Sequence, residues 1–401
     1  MLERTGAGRG AGAAAGPTRD AEARRGAEWR RARDQYDGVV LLLQGGGALG
    51  SYQAGVYEVL AETPFLPDWV AGISIGAVNA ALIAGNRPEH RVERLREFWD
   101  RITGTVTWSW LPEGEAFRDW ANQLAAWSAL FRGQPGFFVP RGGIPHFQPP
   151  GCPAALSWYD TAPLRRTLLE LVDFDLLNEG PTRLSVGAVN VATGNTVYFD
   201  TRDRRLGPEH IMASGALPPG FPPVEIEGEA YWDGGLVSNT PLQYVLEAGP
   251  APASLIFQVD LFSSRGLVPR TLAEADERAK DIRYSSRTRL VTDVYRAMHL
   301  LRCDIDLLLS RLPAEARDDP EVRRIAEAGA ATRLNILHLV YRRMRHDRDY
   351  KDYEFSRNTM RDHWATGRDD LTRTLRQTAW LEPPDERTAL STHDVHFDAP
   401  G

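Results

Sequence analysis

The segment 72–76 reads GISIG and matches G-x-S-x-G directly after an apolar run and before a helical pattern. A strand that turns sharply into a helix holds its serine in a strained conformation, and glycines two residues to either side let neighbouring elements pass closely. The hydroxyl also lies at a helix N-terminus, where the dipole favours developing negative charge. We therefore predict that Ser74 is a nucleophile framed by Gly72 and Gly76. The alternative is a buried serine that caps a helix beside packing glycines.

A glycine-rich loop precedes this segment. Residues 44–50 read QGGGALG and lie between an apolar run and a helical pattern. Adjacent glycines in such a loop expose backbone N–H groups that can converge on an anion. In a hydrolase that anion is the oxyanion of the tetrahedral intermediate. We predict that Gly45, Gly46 and Gly47 supply the oxyanion donors.

The same loop also satisfies G-x-G-x-x-G through Gly45, Gly47 and Gly50, so a dinucleotide site is an alternative. A dinucleotide site needs an acidic residue near the end of the next strand. Asp68 instead precedes that strand, and the Ser74 turn occupies its end. The sequence therefore favours the oxyanion loop.

A carboxylate follows much later, in the segment 231–235, which reads YWDGG. Asp233 ends a predicted strand, and Gly234 and Gly235 would let another backbone approach it closely. The alternative is an ordinary Asp-Gly hairpin turn. Asn239 or Thr240, just before a proline, is the expected cap of the next helix.

A serine hydrolase usually has a histidine base, but none of the nine histidines lies in an evident motif. His210 or His299 could complete a triad in the order Ser, Asp, His. However, only one clear strand precedes the strand of Ser74, whereas the usual α/β-hydrolase places several strands before its nucleophile. The sequence therefore favours a dyad of Ser74 and Asp233.

The elements that must position these groups alternate between strands and helices. The apolar run at 39–43 is typical of a parallel strand buried on both faces. Further strands are predicted at 69–73, 183–191, 196–200, 229–232 and 254–261. Helices are predicted at 76–84 and 91–102. This alternation indicates an α/β layer fold with a parallel or mixed sheet.

Residues 105–155 form an aromatic, proline-rich insertion that includes Trp108, Trp110, Trp120 and Trp127. Long insertions in compact enzymes are often functional, so this one is either a wall of the substrate site or a satellite core beneath a long loop.

The chain beyond residue 262 is predicted to form a mainly helical extension, 263–380, with one strand near 336–341 and a helix at 357–375. Apolar residues from Val291 to Leu312 keep 3-4 spacing, which fits a coiled-coil seam or a helix packed on the body. We expect residues 1–36 to be disordered and 381–401 to be a flexible tail.

The motifs GGGALG, GISIG and DGG, in this order and at these separations, resemble the patatin-like phospholipase family over residues 37–262. The resemblance implies a three-layer α/β/α fold with a mostly parallel sheet. It also implies lipid acyl hydrolysis by a Ser74–Asp233 dyad with an oxyanion loop. The segment 213–218, ASGALP, resembles the family block that lines the site. Leu49 departs from the family, since many relatives carry Arg or Lys there.

The segment 351–357, KDYEFSR, is similar to a C-terminal extension found on one bacterial branch of patatin-like proteins. This similarity supports the family resemblance and says little about the substrate.

Composition narrows the choice of partners. The chain is 42% hydrophobic and 25% charged with a net charge of −7, which is ordinary for a globular protein and unlike a nucleic-acid binder. Cys152 and Cys303 lie far apart and no H-E-x-x-H occurs, so we expect no structural zinc, no catalytic metal and no cofactor.

No signal-peptide pattern precedes the first strand, and we expect a cytoplasmic protein. The basic segment 342–351 is either a peripheral membrane contact or a solvated face with internal salt bridges.

These observations predict a serine acyl-ester hydrolase of a lipid or another apolar ester, of the phospholipase A or lysophospholipase kind. The alternatives are a non-catalytic lipid-binding module, a storage-polyester hydrolase or an acyl transferase that uses the same dyad.

Overall fold

The fold was analysed in a computed structural model. The structure describes residues 19–103, 133–317, 319–328, 332–342, 355–385 and 389–394. The basic segment 342–351, apart from Arg342, and the tryptophans at 108, 110, 120 and 127 lie outside these ranges.

The described strands form a nine-stranded sheet and a separate two-stranded ribbon. In chain order they are β1 Gly38–Leu43, β2 Trp69–Ile73, β3 Val139–Pro140, β4 Tyr159–Asp160, β5 Arg183–Asn190, β6 Thr196–Asp200, β7 Val224–Ile226, β8 Glu229–Asp233, β9 Ala253–Asp260, β10 Arg333–Val340 and β11 Leu390–His393. The large sheet has the order β11-β10-β9-β1-β2-β5-β8-β7, with β6 beside β5. Strands β11 to β5 along this order run parallel, and β6, β7 and β8 pair antiparallel. The six predicted early strands are confirmed.

Helices cover both faces of the sheet. In chain order they are α1 Arg19–Arg33, α2 Gly50–Leu60, α3 Ile75–Ala84, α4 Arg91–Ile102, α5 Pro153–Leu156, α6 Ala162–Leu171, α7 Phe174–Glu179, α8 Pro208–Ser214, α9 Leu242–Glu247, α10 Leu272–Tyr284, α11 Thr288–Ser310, α12 Ala314–Arg317, α13 Pro320–Ala328 and α14 Arg357–Leu375. None of these helices is both long enough and apolar enough to cross a bilayer, within the ranges that the structure describes.

Strand β1 shows how the sequence builds three layers. Successive side chains of a strand point to opposite faces of the sheet. Leu41 and Leu43 accordingly join the core under α2, α3, α4 and α14, whereas Val40 and Leu42 join the core under α9 and α11. Because both faces are buried, the strand is a continuous apolar run. The predicted α/β/α fold with a mostly parallel sheet is confirmed.

The expectation that residues 1–36 are disordered is wrong for the described part of that segment. Residues 19–33 form α1, and two aromatic side chains anchor it. Trp29 Nε1 donates a hydrogen bond to Leu375 O at 3.2 Å, and the buried Tyr36 hydroxyl donates to Leu381 O at 2.9 Å. The Ala-, Gly- and Arg-rich composition suggested disorder, and these two contacts could not be predicted because they join distant parts of the chain.

The C-terminal region is part of the main body. Strand β10 pairs with β9, and β11 pairs in parallel with β10, so the extension adds two strands to the same sheet. The predicted flexible tail, 381–401, is therefore wrong for Leu390–His393. Buried Ala389 and Leu390 fix this short strand, and four residues are too few to show a periodicity.

Helix α14 also packs closely on α2. A Cβ on Gly55 would clash with Trp364 O, and one on Gly367 would clash with Tyr52 O. At the same crossing the Tyr52 hydroxyl donates to Asp370 Oδ2 at 2.8 Å. The two helices can approach this closely only because each carries a glycine at the crossing.

Helix α11 uses only the start of its predicted apolar stripe to pack on the body, where Val291 contacts the core. Its buried positions include Thr292 and His299, and Tyr295 packs against the core. Val294, Met298 and Leu301 of the predicted stripe are exposed. The 3-4 spacing predicted the helix but not the direction in which its stripe faces.

The described end of the aromatic insertion forms a cluster against the body. Phe137 packs edge-on against Phe98 and Phe221, with ring centroids 6.4 and 6.2 Å away. Phe138 packs against Tyr159 at 4.8 Å. For these two phenylalanines the structure supports the satellite-core alternative.

Candidate active site

Ser74 occupies a strained turn between β2 and α3. Its backbone has φ +56° and ψ −125°, a conformation that residues other than glycine rarely adopt. The Ser74 amide donates to Ser214 Oγ at 3.0 Å, and that hydroxyl donates to Gly187 O at 2.6 Å. The segment 213–218 thus contacts the predicted nucleophile through Ser214, in agreement with the family resemblance.

The two glycines of GISIG are required by close backbone contacts. A Cβ on Gly72 would clash with Gly76 O, and a Cβ on Gly76 would clash with Leu43 O at the end of β1. The predicted reason for these glycines is therefore confirmed. Close approach of α3 to β1 and β2 sets the position of Ser74.

Strand β5 brings Asp233 to Ser74. Its residue Gly187 pairs with Ile73 in parallel, and the next residue, Ala188, pairs with Asp233 of the antiparallel β8. Along β5, the pairing with β2 therefore stops at Gly187, and the pairing with β8 starts at the next residue, Ala188. The Ser74 side chain lies beside the Asp233 carboxylate and acts to lower its pKa. The two residues of the predicted dyad are therefore in contact.

The two glycines after Asp233 have different structural roles. A Cβ on Gly234 would lie 2.6 Å from Gly187 O, so only glycine lets β8 leave β5 at this point. The amide of Gly235 donates to Asp233 Oδ1 at 2.7 Å and orients the carboxylate. This turn is more than the ordinary Asp-Gly hairpin, because it fixes a buried acid.

Burial sets the basicity of Asp233. The side chain is almost fully buried, and burial raises the pKa of Asp233 from 3.8 to about 6, while hydrogen bonds from Ser74 and the Gly235 amide act in the opposite direction. A general base is most effective when its pKa lies near the working pH. Asp233 is thus a stronger base than an exposed carboxylate.

The glycine loop lies against the nucleophile. A Cβ on Gly45 would be 3.0 Å from Ser74 Cβ, and a Cβ on Gly50 would be 2.7 Å from Ile75 Cγ1. The Gly45 amide, however, donates to Asn239 O at 3.3 Å. Because that N–H is already engaged, the predicted set of three oxyanion donors is reduced to Gly46 and Gly47. Gly47 has φ +56°, which favours glycine.

Asn239 holds this loop and was not predicted to do so. Its Nδ2 donates to Gly45 O and to Tyr284 O, each at 3.0 Å. The expectation that Asn239 or Thr240 caps the next helix is wrong, because α9 begins at Leu242 with Pro241 in the cap position. The signal available in the sequence was an amide side chain close after DGG, before a proline.

Gln44 is a second positioning residue that the sequence analysis missed. This fully buried side chain accepts hydrogen bonds from the amides of Leu261 at 2.5 Å and Phe262 at 3.0 Å. It donates to Thr240 Oγ1 and Tyr284 O, each at 3.0 Å. Gln44 therefore joins the start of the glycine loop to the end of β9 and to α10.

The two histidines considered for a triad have other contacts. His210 Nδ1 accepts a hydrogen bond from the Gly207 amide at 2.9 Å, and its ring packs edge-on against Phe199. His299 Nε2 lies 3.1 Å from Cys303 Sγ within α11. These contacts favour the dyad over a triad.

Comparison with known proteins decides the family. A family model described as patatin-like phospholipase matches residues 41–246, more than half of the chain. The chain belongs to the patatin-like phospholipase family. A second model, described as patatin phospholipase, matches residues 282–387 and confirms that the C-terminal region resembles a patatin extension.

Individual relatives match over short segments. A patatin-like phospholipase domain-containing protein of Neurospora crassa is 37% identical over 101 residues, which are 23% of this chain and 12% of that protein. Triacylglycerol lipase SDP1L of Arabidopsis thaliana is 34% identical over 82 residues, which are 19% and 10% of the two chains. The chain thus spans only a small part of each relative.

Among solved structures, VipD from Legionella pneumophila aligns with 86% of this chain and 67% of its own. The sequence identity is 14% and the TM-score is 0.38, and no conclusion rests on this alignment.

Proposed function

We propose that this patatin-like protein is a serine acyl-ester hydrolase of lipids, of the phospholipase A or lysophospholipase kind. The observation that supports it most is the placement of Ser74 beside a buried Asp233 whose pKa is raised to about 6. A structural serine at a helix start has no need of a strained backbone, a buried base and a glycine loop pressed against it.

In the first half of the reaction, Asp233 accepts the hydroxyl proton of Ser74 as Oγ attacks the ester carbonyl carbon. The carbonyl electron pair moves to oxygen, and the resulting oxyanion accepts hydrogen bonds from the amides of Gly46 and Gly47. Collapse of this intermediate breaks the carbon–oxygen bond of the ester. The departing alcohol takes the proton from Asp233, and an acyl group stays on Ser74.

In the second half, water attacks the acyl carbonyl and Asp233 accepts a proton from it. The second tetrahedral intermediate collapses, Ser74 regains its proton, and the fatty acid leaves. Removing one preorganised oxyanion donor typically costs about 10²–10³ in rate, so the exact placement of this loop matters as much as the dyad.

Similarity to known proteins supports a lipid ester as the substrate. Leu49 stands where the family resemblance leads us to expect Arg or Lys, and it is fully buried, so this position offers no charge to a headgroup. One relative is named a triacylglycerol lipase, which supports an acyl ester of this class. The lipid class itself is the part of the proposal that an experiment must decide.

The test is a hydrolysis panel of a phospholipid, a lysophospholipid, a triacylglycerol, a storage polyester and a long-chain thioester. The full chain should release fatty acid from at least one lipid ester, and Ser74→Ala should release none. Ser238→Ala is a matched control that should retain activity. Release by Ser74→Ala would contradict Ser74 as the nucleophile, and transfer to an added lysophospholipid with no free acid would contradict a hydrolase.

A further inference from the structure

An exposed apolar loop, residues 263–271, connects β9 to α10. At its tip the side chains of Leu267 and Val268 are 92% and 85% exposed. Arg265 and Arg270 flank this tip, and the nine residues SSRGLVPRT contain no carboxylate. Such exposure is unfavourable in water unless the side chains have a partner.

The loop is held in place at both ends. The Arg278 guanidinium donates to Ser263 O at 3.1 Å and also to Ser264 O. At the other end the amide of Arg270 donates to Glu274 Oε2 at 2.6 Å, and Thr271 caps α10. Hydrogen bonds at both ends of the loop therefore hold the apolar tip in position.

The apolar surface continues onto α11. Leu267, Val268 and Leu290 line the same cavity of about 1800 Å³, to which neither Ser74 nor Asp233 contributes. From Leu290 onward, exposed apolar side chains follow one face of α11, which we call the outward stripe. Its members are Leu290, Val294, Met298, Leu301 and Leu308.

Charge around this surface differs from that of the whole chain. The residues that line the cavity include seven arginines and five carboxylates, whereas the chain carries a net charge of −7. The Arg289 side chain beside Leu290 is largely exposed and lies 3.9 Å from the Asp293 carboxylate. Because arginines outnumber carboxylates around the cavity, two copies of this surface would repel each other, which disfavours self-association. An anionic surface would bring opposite charges together.

The loop also begins beside the active site. It follows Phe262, whose amide donates to Gln44 Oε1 at 3.0 Å. Phe262 Cε2 lies 3.3 Å from the position of a Cβ on Gly46, one of the two proposed oxyanion donors. The loop therefore leaves the sheet at the same edge as the glycine loop, because β1 and β9 run parallel and end side by side.

We propose that loop 263–271 and the outward stripe of α11 form an anchor that seats the enzyme on an anionic lipid surface. The apolar side chains would enter the acyl region while the arginines contact lipid phosphates at the headgroup level. This proposal extends the proposed function, because a lipid hydrolase must meet its substrate at such a surface, but it depends on binding and not on catalysis.

The test is sedimentation with vesicles of phosphatidylcholine, alone or with an equal amount of phosphatidylglycerol. The full chain carries Ser74→Ala so that lipid is not consumed. Leu267→Ser with Val268→Ser should weaken binding about tenfold or more on both vesicles. Arg265→Gln with Arg270→Gln should weaken binding about tenfold on anionic vesicles only, and high salt should remove that difference. Phe147→Ser is the matched control, since this side chain is 82% exposed outside the anchor and should bind as before.

Equal binding by the anchor variants and the control would overturn the proposal. So would a dimer in solution that the anchor variants dissociate, because a second copy would then be the occupant. The same variants with Ser74 intact should hydrolyse a water-soluble short-chain ester at the normal rate, which also shows that they are folded. If the enzyme hydrolyses no ester but the anchor still binds vesicles, the proposed function fails and the anchor stands.

Discussion

The side-chain amide of Asn239 donates to the carbonyl of Gly45 in the glycine loop and to the carbonyl of Tyr284 at the end of α10. Tyr284 lies within residues 282–387, which the second family model matches. The C-terminal region therefore reaches the candidate active site through Tyr284 O, which accepts hydrogen bonds from two buried side-chain amides, Asn239 and Gln44. Both acceptors are backbone carbonyls, so the contact depends on the fold of the extension and not on its side chains.

We expect Asn239→Ala to lower kcat by roughly 10- to 100-fold, because the oxyanion donors next to Gly45 lose their support. KM should change little, since Asn239 does not need to contact the substrate. Steady-state kinetics with a soluble ester measures both constants. Gln243→Ala is the control, because Gln243 is an exposed residue whose side chain donates a hydrogen bond to the nearby Glu247. An unchanged kcat in Asn239→Ala would contradict the role that we assign to this residue.

The pH dependence of the reaction follows from Asp233. This residue must be ionised to accept the Ser74 proton, and burial raises its pKa to about 6. We expect kcat/KM to rise with pH through an apparent pKa of about 6 and to reach a plateau above it. A profile that falls as pH rises, or that stays flat from about pH 5 to about pH 8, would contradict Asp233 as the base.

The same raised pKa has a consequence for stability. A carboxyl group with a raised folded-state pKa contributes stability that is fully present below its unfolded pKa of 3.8 and is lost as pH rises through about 6. Asp233→Asn should therefore be inactive but more stable than the native chain near neutral pH, by roughly 2–3 kcal/mol.

Chemical denaturation at several pH values tests this expectation. The stability difference between Asp233→Asn and the native chain should shrink as pH falls through about 6 and vanish below the unfolded pKa. Asp203→Asn, at an exposed carboxylate, should show no such pH-dependent difference. Lower stability of Asp233→Asn at neutral pH would contradict the account of the buried carboxylate.

Gly76, in the first turn of α3, should be intolerant of a side chain. In Gly76→Ala the new methyl group would clash with Leu43 O, a backbone atom that cannot move without distorting β1. We expect a loss of about 3 kcal/mol or more in the free energy of unfolding. Gly142→Ala is the matched control, because nothing lies within 4 Å of its added Cβ. Similar unfolding midpoints for both variants would contradict the close packing.

Local signals in the sequence predicted the strained turn at Ser74 and the glycine loop. The strand before Ser74 and the helix after it are adjacent in the chain. The flanking glycines are required because the backbones of these elements pack closely. Asp233 could be proposed from its motif, but its position depends on which residue of β5 it faces. That register joins residues more than forty positions apart, and no local pattern specifies it.

Other features depended on distant contacts and were missed or misread. Asn239 resembles a helix cap in sequence, yet its acceptors are Gly45 and Tyr284, which only the fold brings within reach. Trp29 and Leu390 hold α1 and β11 in place, although both lie in segments that resemble loose ends. The stripe on α11 has a clear period, but periodicity does not indicate whether a helical face points to the body or to solvent.

The most direct test of the central claim is intact-mass analysis after reaction with a fluorophosphonate probe. The native chain should gain the mass of one phosphonyl group, located at Ser74 by peptide mapping. Asp233→Asn should label far more slowly, and Ser74→Ala should not label. A phosphonyl group on any other serine, or labelling of Ser74→Ala at the native rate, would contradict a Ser74–Asp233 dyad.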